Sequence, residues 1–179
     1  MGLDISDGKD FWMVLPAIVK ECLAFEGIIL AGGALRSLMD GKRPRDYDLF
    51  CFNQETVNLV LLLLEKKGRT IGEQGGTKKF IVDDREIEVI TEIFSSPNKV
   101  LESFDFRCSQ VGIYKECVIS IPGALDDIKE KILTYCGTNF PEHTWKSRIP
   151  KFVCEYGYSI SAHDVMAVLK DIGNKKVCN

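Results

Sequence analysis

A chain of 179 residues that is 45% apolar and 27% charged is long enough to bury a sizeable core and has the composition of an ordinary folded domain. Its net charge of −3 excludes wholesale electrostatic wrapping of nucleic acid, although Lys42, Arg43, Arg45, Lys78 and Lys79 are able to build a local basic rim. Seven cysteines (Cys22, Cys51, Cys108, Cys117, Cys136, Cys154 and Cys178) show no C-x-x-C spacing. They read as reduced thiols of a cytoplasmic chain, mostly small core residues, and not as a disulfide frame.

In chain order, the N-terminus carries Asp4, Asp7 and Asp10 where a signal peptide would need basic residues, so none is expected. Residues 11–25 predict an amphipathic helix, with Phe11, Leu15, Ile18, Cys22 and Phe25 at helical spacing. Residues 28–30 predict a buried strand, and 34–39 a short helix stopped by Asp40-Gly41. A second strand follows at 46–52 and a helix at 56–67, ended by Gly68. Within that helix the apolar run 59–64 is too short to span a bilayer. Residues 79–82 and 86–91 predict a hairpin around Asp83-Asp84, and 106–114 pairs similarly with 117–121. Residues 124–133 read as helix, and 143–156 and 162–172 as closing helices. His143 and His163 are too isolated for a zinc site. No repeat, low-complexity tract or long linker interrupts this order. The alternation suits an α/β or α+β fold, a small sheet covered by helices, as one compact domain with a small helical appendage.

The densest chemistry lies between Gly27 and Phe52. Gly32-Gly33 allows a tight turn into a helix whose backbone N–H groups suit phosphate. Arg36 sits in the first turn, where the helix dipole favours acids, so a phosphate partner accounts for it better than local stability does. Lys42 to Arg45 reads either as a solvated turn or as a phosphate contact. Asp46 and Asp48 share one strand face, where two carboxylates repel unless a cation lies between them. The plain alternative is two solvated residues on an exposed face. A phosphate cradle beside a carboxylate pair points to nucleotide chemistry.

GGALRS followed by GKRPRDYDLF resembles the head of class II CCA-adding tRNA nucleotidyltransferases and bacterial poly(A) polymerases, with their GGxVRD, Gly-Arg-rich loop and D-x-D. This places the chain by resemblance in the polymerase-beta-like nucleotidyltransferase superfamily. The resemblance implies that Asp46 and Asp48 hold two magnesium (or manganese) ions, and that Gly32, Gly33 and Arg36 meet an incoming triphosphate. Glu88, on the strand REIEVIT, falls where the family has its third carboxylate, with Glu86 on the same face as the alternative. Asp105 and Phe106 resemble part of the family's R-R-D-F-T, whose arginines are replaced by Ser103 and Phe104, and Ser109-Gln110 stands for Asn-Ala. Asp105 and Gln110 are thereby nucleotide-binding candidates. PGALDDIK resembles the family's P-x-G-x-x-D-L, and RIPKF with YGYSI its L-R-A-x-R-F and L-G-F-x-I, where the neck begins. Arg148 and Lys151 join Arg45 as nucleotide-binding candidates on that ground. Pro150 is expected to kink or break the neck helix. Ser37 departs from the family's aspartate. The implied division is a head at 1–137 and a short helical neck-like segment at 138–179.

The resemblance implies transfer of a nucleoside monophosphate from an NTP to an acceptor hydroxyl, with an RNA 3′ end, tRNA included, as the foremost acceptor. Little chain follows the neck, so strict CCA addition is not expected; a minimal head domain of viral or phage type is. A protein or small-molecule acceptor, a non-catalytic module of the same fold and an antitoxin-like subunit remain open, as does the oligomeric state.

Overall fold

The computed structural model describes residues 3–177. Its elements begin with β1 (Asp4–Asp7), α1 (Lys9–Val14), α2 (Ala17–Leu23), β2 (Ile28–Ala31), α3 (Gly33–Met39), β3 (Asp46–Cys51) and α4 (Gln54–Lys67). Then come β4 (Arg69–Gln74), β5 (Thr77–Val82), β6 (Arg85–Ile93), α5 (Pro97–Glu102), β7 (Val111–Tyr114), β8 (Cys117–Ser120) and α6 (Ala124–Glu130). The chain closes with β9 (Ile132–Leu133), a helical run opened by α7 (Pro141–His143), β10 (Ser159–Ile160) and α8 (Ala162–Val177).

Eight strands form one sheet in the order β1-β8-β7-β2-β3-β6-β5-β4. Neighbours are antiparallel except β3 and β6, which run parallel. Their crossover is α4 with the β4–β5 hairpin, long enough to return the chain to the same end of the sheet. β9 and β10 make a separate parallel pair. The architecture is α+β, one of the two classes the alternation suits.

Alternation along the central strands sorts the core into two faces. Ile28 and Leu30 of β2 enter a large buried cluster, while Ile29 and Ala31 enter a smaller one. Tyr47, Leu49 and Cys51 of β3 join the large cluster and Phe50 the small one, so Asp46 and Asp48 share the Phe50 face. α2 and α4 cover the large cluster, to which the C-terminal segment adds Ile149, Phe152, Tyr158 and Val168. Val100 and Leu101 of α5 cover the small one.

Several boundaries differ from those expected. The 11–25 helix divides at Leu15-Pro16, because a residue preceding proline is pushed out of the helical region; Leu15 is extended, with ψ of 143°. The strand expected from 106 starts at Val111, after a 3₁₀ turn over Arg107–Ser109. The helix expected over 124–133 stops at Glu130, where Lys131 turns left-handed with φ of 56° and β9 follows. Pro150 does not break the neck helix. It keeps helical angles (φ −56°, ψ −43°) between two wide π turns, Thr144–Arg148 and Lys151–Glu155. The wider winding accommodates a residue that has no N–H to give. β1, β4 and α5 lacked strong periodicity, although Ser96-Pro97 is a helix-start pair and the Ser96 hydroxyl accepts from Lys99 N–H at 3.3 Å.

Among the described residues no helix is long and apolar enough to cross a membrane. Cys22, Cys51, Cys108, Cys117, Cys136 and Cys154 are free thiols, and Cys178 lies outside the described residues.

Candidate active site

The turn from β2 into α3 needs glycine at its first position. Gly32 has φ of 90° and ψ of −133°, a region closed to other residues, and a Cβ there would lie 3.1 Å from the Phe104 ring. It would also lie 3.4 Å from Oδ2 of Asp48, so the turn passes directly against the carboxylate.

The parallel pairing of β3 with β6 sets Asp46 beside Glu86 and Asp48 beside Glu88. Asp46, Asp48 and Glu88 line one cavity of about 520 Å³. Each carboxylate has a different neighbour. Oδ2 of Asp46 accepts from Arg45, Nε at 3.1 Å and Nη2 at 2.9 Å. Glu88 is ion-paired to Lys79, which stands directly opposite it on β5. Asp48 receives a hydrogen bond from none of the described donors. Burial, then the charges of Asp46 and Glu88, push its carboxyl up to about 7, against a smaller pull from Arg148 and Lys79.

The facing wall is cationic and aromatic. Arg36, 8% exposed, has its guanidinium in the corner of two nearly perpendicular rings, 4.5 Å from the centroid of Phe152 and 4.8 Å from that of Tyr156. Its Nη1 donates to the Ser109 hydroxyl at 3.4 Å, and no described carboxylate neutralises it. Most of its five N–H donors are therefore left for an anion in the cavity. The wide helical run adds Arg148 and Lys151, with His143 and Ser147 on the same wall. Lys151 lies 5.6 Å over the Tyr156 ring.

Of the expected site residues, Gly33, Arg36, Arg45, Asp46, Asp48, Glu88, Arg148 and Lys151 line this cavity, with Gly32 against its carboxylate end. Asp105 and Gln110 do not. Asp105 is buried behind the wall, 2% exposed, where its Oδ2 accepts from the Thr144 hydroxyl at 2.7 Å and pairs with Arg148 Nε at 3.3 Å. Gln110 is also buried; its Nε2 donates to the Phe104 carbonyl at 3.2 Å, and its Oε1 lies 3.7 Å from Cys136 Sγ. Their burial suits them to hold the wall and not to touch a ligand. The sequence reading missed Lys79 as the partner of Glu88, along with Phe104, Ser109, Ser147 and Tyr156. For Lys79 the signal was present, since a two-residue turn at Asp83-Asp84 sets Val82 opposite Arg85 and, counting back, Lys79 opposite Glu88.

Among the described residues no three Asp, Glu, His or Cys side chains form a ready-made metal cage. The carboxylate pair nonetheless fits a hard divalent cation. Magnesium is commonly held by one or two carboxylates, with water and substrate phosphate completing its shell. A half-buried Asp48 with a raised pKa and no hydrogen-bond donor among the described residues is a group whose charge a cation would offset.

Among solved structures, a Thermotoga maritima CCA-adding enzyme complexed with tRNA is similar at a TM-score of 0.72 and 16% identity, over 97% of this chain and 47% of that one. A CCA-adding enzyme complexed with ATP gives 0.74 and 15% over 99% and 48%. The Bacillus stearothermophilus enzyme in complex with CTP gives 0.61 and 19% over 86% and 43%. The chain thus spans about half the length of these proteins, and the likeness shows a fold shared with part of the CCA-adding enzymes. No curated protein matches the sequence. Family-level kinship comes from elsewhere: residues 7–131 match the model described as "Gad2: Gabija anti-defense 2 family protein", and the chain belongs to that family.

Proposed function

We propose that the chain transfers a nucleoside monophosphate from an NTP to an acceptor hydroxyl. The observation that carries this reading is the pairing of Asp46 and Asp48 with a facing wall of Arg36, Arg148 and Lys151 across one cavity. In the transfer, the acceptor oxygen bonds to the α-phosphorus and the bond from that phosphorus to the bridging oxygen breaks. Pyrophosphate leaves and takes up the acceptor's proton. Asp46 and Asp48 would hold the divalent cation, Mg2+ or Mn2+, which when bound lowers the pKa of the acceptor hydroxyl and offsets charge on the leaving group. Arg36, fixed by its two aromatic neighbours, would hold the triphosphate without reorganising. Arg148, itself held by Asp105, would grip from the neck side. An RNA 3′ end is the proposed acceptor, supported by the fold's likeness to a CCA-adding enzyme complexed with tRNA. The family description supports action against a Gabija defence system, and the transfer is the chemical means proposed for it.

A second reading, a nucleotide-binding module that acts without turnover, is favoured by the ion pair that covers Glu88. Incubation with each labelled NTP, Mg2+ or Mn2+ and bulk RNA separates the two. Label transferred to RNA by the native chain and lost in Asp48→Asn is the expected result. NTP binding without transfer to any acceptor leaves the second reading.

A further inference from the structure

We infer that Lys79 serves as the site's own cation at Glu88, so that the protein by itself holds one divalent ion, at Asp46 and Asp48, and not two. This rests on the nucleotidyl-transfer reading and narrows it.

The three carboxylates differ in how firmly each is covered. Arg45 reaches Asp46 from a loop with a side chain 72% exposed, an adjacent-residue contact that water and a competing ion displace readily. Among the described residues Asp48 has no hydrogen-bonding cover. Glu88 is covered by a residue that cannot swing away with a loop. Lys79 lies directly opposite Glu88 in the β5–β6 ladder, and that register follows from the Asp83-Asp84 turn, where both residues have positive φ (48° and 56°). The ammonium is ion-paired to Glu88 and lies 3.6 Å from Oε1 of Glu86 on the same face. The Lys79 side chain is 38% exposed and that of Glu88 16%, so the pair is only partly screened by water. Both line the cavity.

A divalent ion at Glu88 would have to displace an ammonium whose backbone is held opposite by strand register, or sit within a few ångströms of it against strong repulsion. An ion at Asp46 and Asp48 has only to move an exposed arginine. The site therefore contains one place for a metal ion and one place already filled by the chain.

Titration of the nucleotide-free protein with Mn2+, following the paramagnetic resonance signal of free Mn2+, counts the ions bound. The native chain and Lys79→Arg are expected to take up one ion, and Lys79→Met two. Lys78→Met is the control: Lys78 Nζ donates to Glu65 at 2.6 Å, away from the cavity, and its loss should leave the count at one. Lys79→Gln provides the same neutralisation should the methionine variant fail to fold. Two ions in the native chain, or one in both the native chain and the neutral variants, overturns the inference while leaving the nucleotidyl-transfer reading in place. Uptake by none of the proteins overturns the metal assignment of Asp46 and Asp48, and the inference falls with it.

Discussion

Asp48 illustrates how one residue's environment becomes a measurable property. Its carboxyl is pushed up to about 7 by burial and by the neighbouring charges of Asp46 and Glu88. The folded protein therefore holds a proton there that the unfolded chain releases near 4, and the stability this provides at low pH is lost as pH rises through about 7. In the ion-free protein the loss amounts to at most about 4 kcal/mol, less where water enters the cavity. Asp48→Asn should flatten the stability profile between pH 4 and 7 and melt no lower than the native chain at pH 8. A divalent cation should raise the native melting temperature at pH 8 and leave the variant's unchanged. Thermal melts across that range, with and without Mn2+, check both. Arg36 gives a contrasting case. Its charge, contact with two aromatic rings and buried position are all used, so Arg36→Ala should destabilise the fold as well as weaken NTP binding. Arg36→Lys keeps the charge without the flat, many-donor guanidinium against the two rings, and should recover less than half of the lost binding free energy. Calorimetric NTP titration alongside thermal melts tests this; full recovery by lysine would mean that stacking contributes little.

At the scale of elements, the site is a meeting of the β3–β6 ladder with the wide helical run from Pro141 to Glu155. The D-x-D strand was legible because a period of two sends Asp46, Asp48 and Phe50 to one face and Tyr47, Leu49 and Cys51 to the other. Asp105 was legible as a motif residue but not in its position, because its place behind the wall depends on Thr144, 39 residues away. The π winding was not legible at all, since it arises where Pro150 must be packed within a helix docked on the core. Thr144 links these parts. Its hydroxyl donates to Asp105 Oδ2, whose partner oxygen Oδ1 already lacks a hydrogen bond. Thr144→Val should therefore leave a buried carboxylate with Arg148 alone and cost about 1–3 kcal/mol. For a chain of this size that is a melting temperature lower by roughly 2–12 °C. NTP affinity should fall with it, because Asp105 orients Arg148. Thr144→Ser should restore both. A valine variant with native melting temperature would remove Asp105 from the wall's support.

At the scale of the whole molecule, a chain with a net charge of −3 has gathered Arg36, Arg45, Lys79, Arg148 and Lys151 around a single cavity. The sequence suggested a basic rim near Lys42 to Arg45 and Lys78-Lys79, but folding divides those residues. Arg43 is drawn to the Asp84 carbonyl at 3.0 Å, Lys78 to Glu65, and Lys79 into the cavity. What remains is local, and this fixes how binding of an RNA 3′ end should respond to salt. Non-specific binding to a broad basic face would release many counterions, whereas Arg45, Arg148 and Lys151 can meet only a few phosphates. For single-stranded RNA each neutralised phosphate contributes a slope of about −0.7 to the logarithm of affinity against the logarithm of salt. With three such contacts the slope should be about −2, reduced by about 0.7 in Lys151→Ala and unchanged in Lys78→Met. Fluorescence anisotropy of a short labelled RNA over a salt series measures it. A slope near zero would direct the search to a protein or small-molecule acceptor. One several times steeper would place the RNA on basic residues outside the cavity, because the cavity wall carries too few cations to account for it.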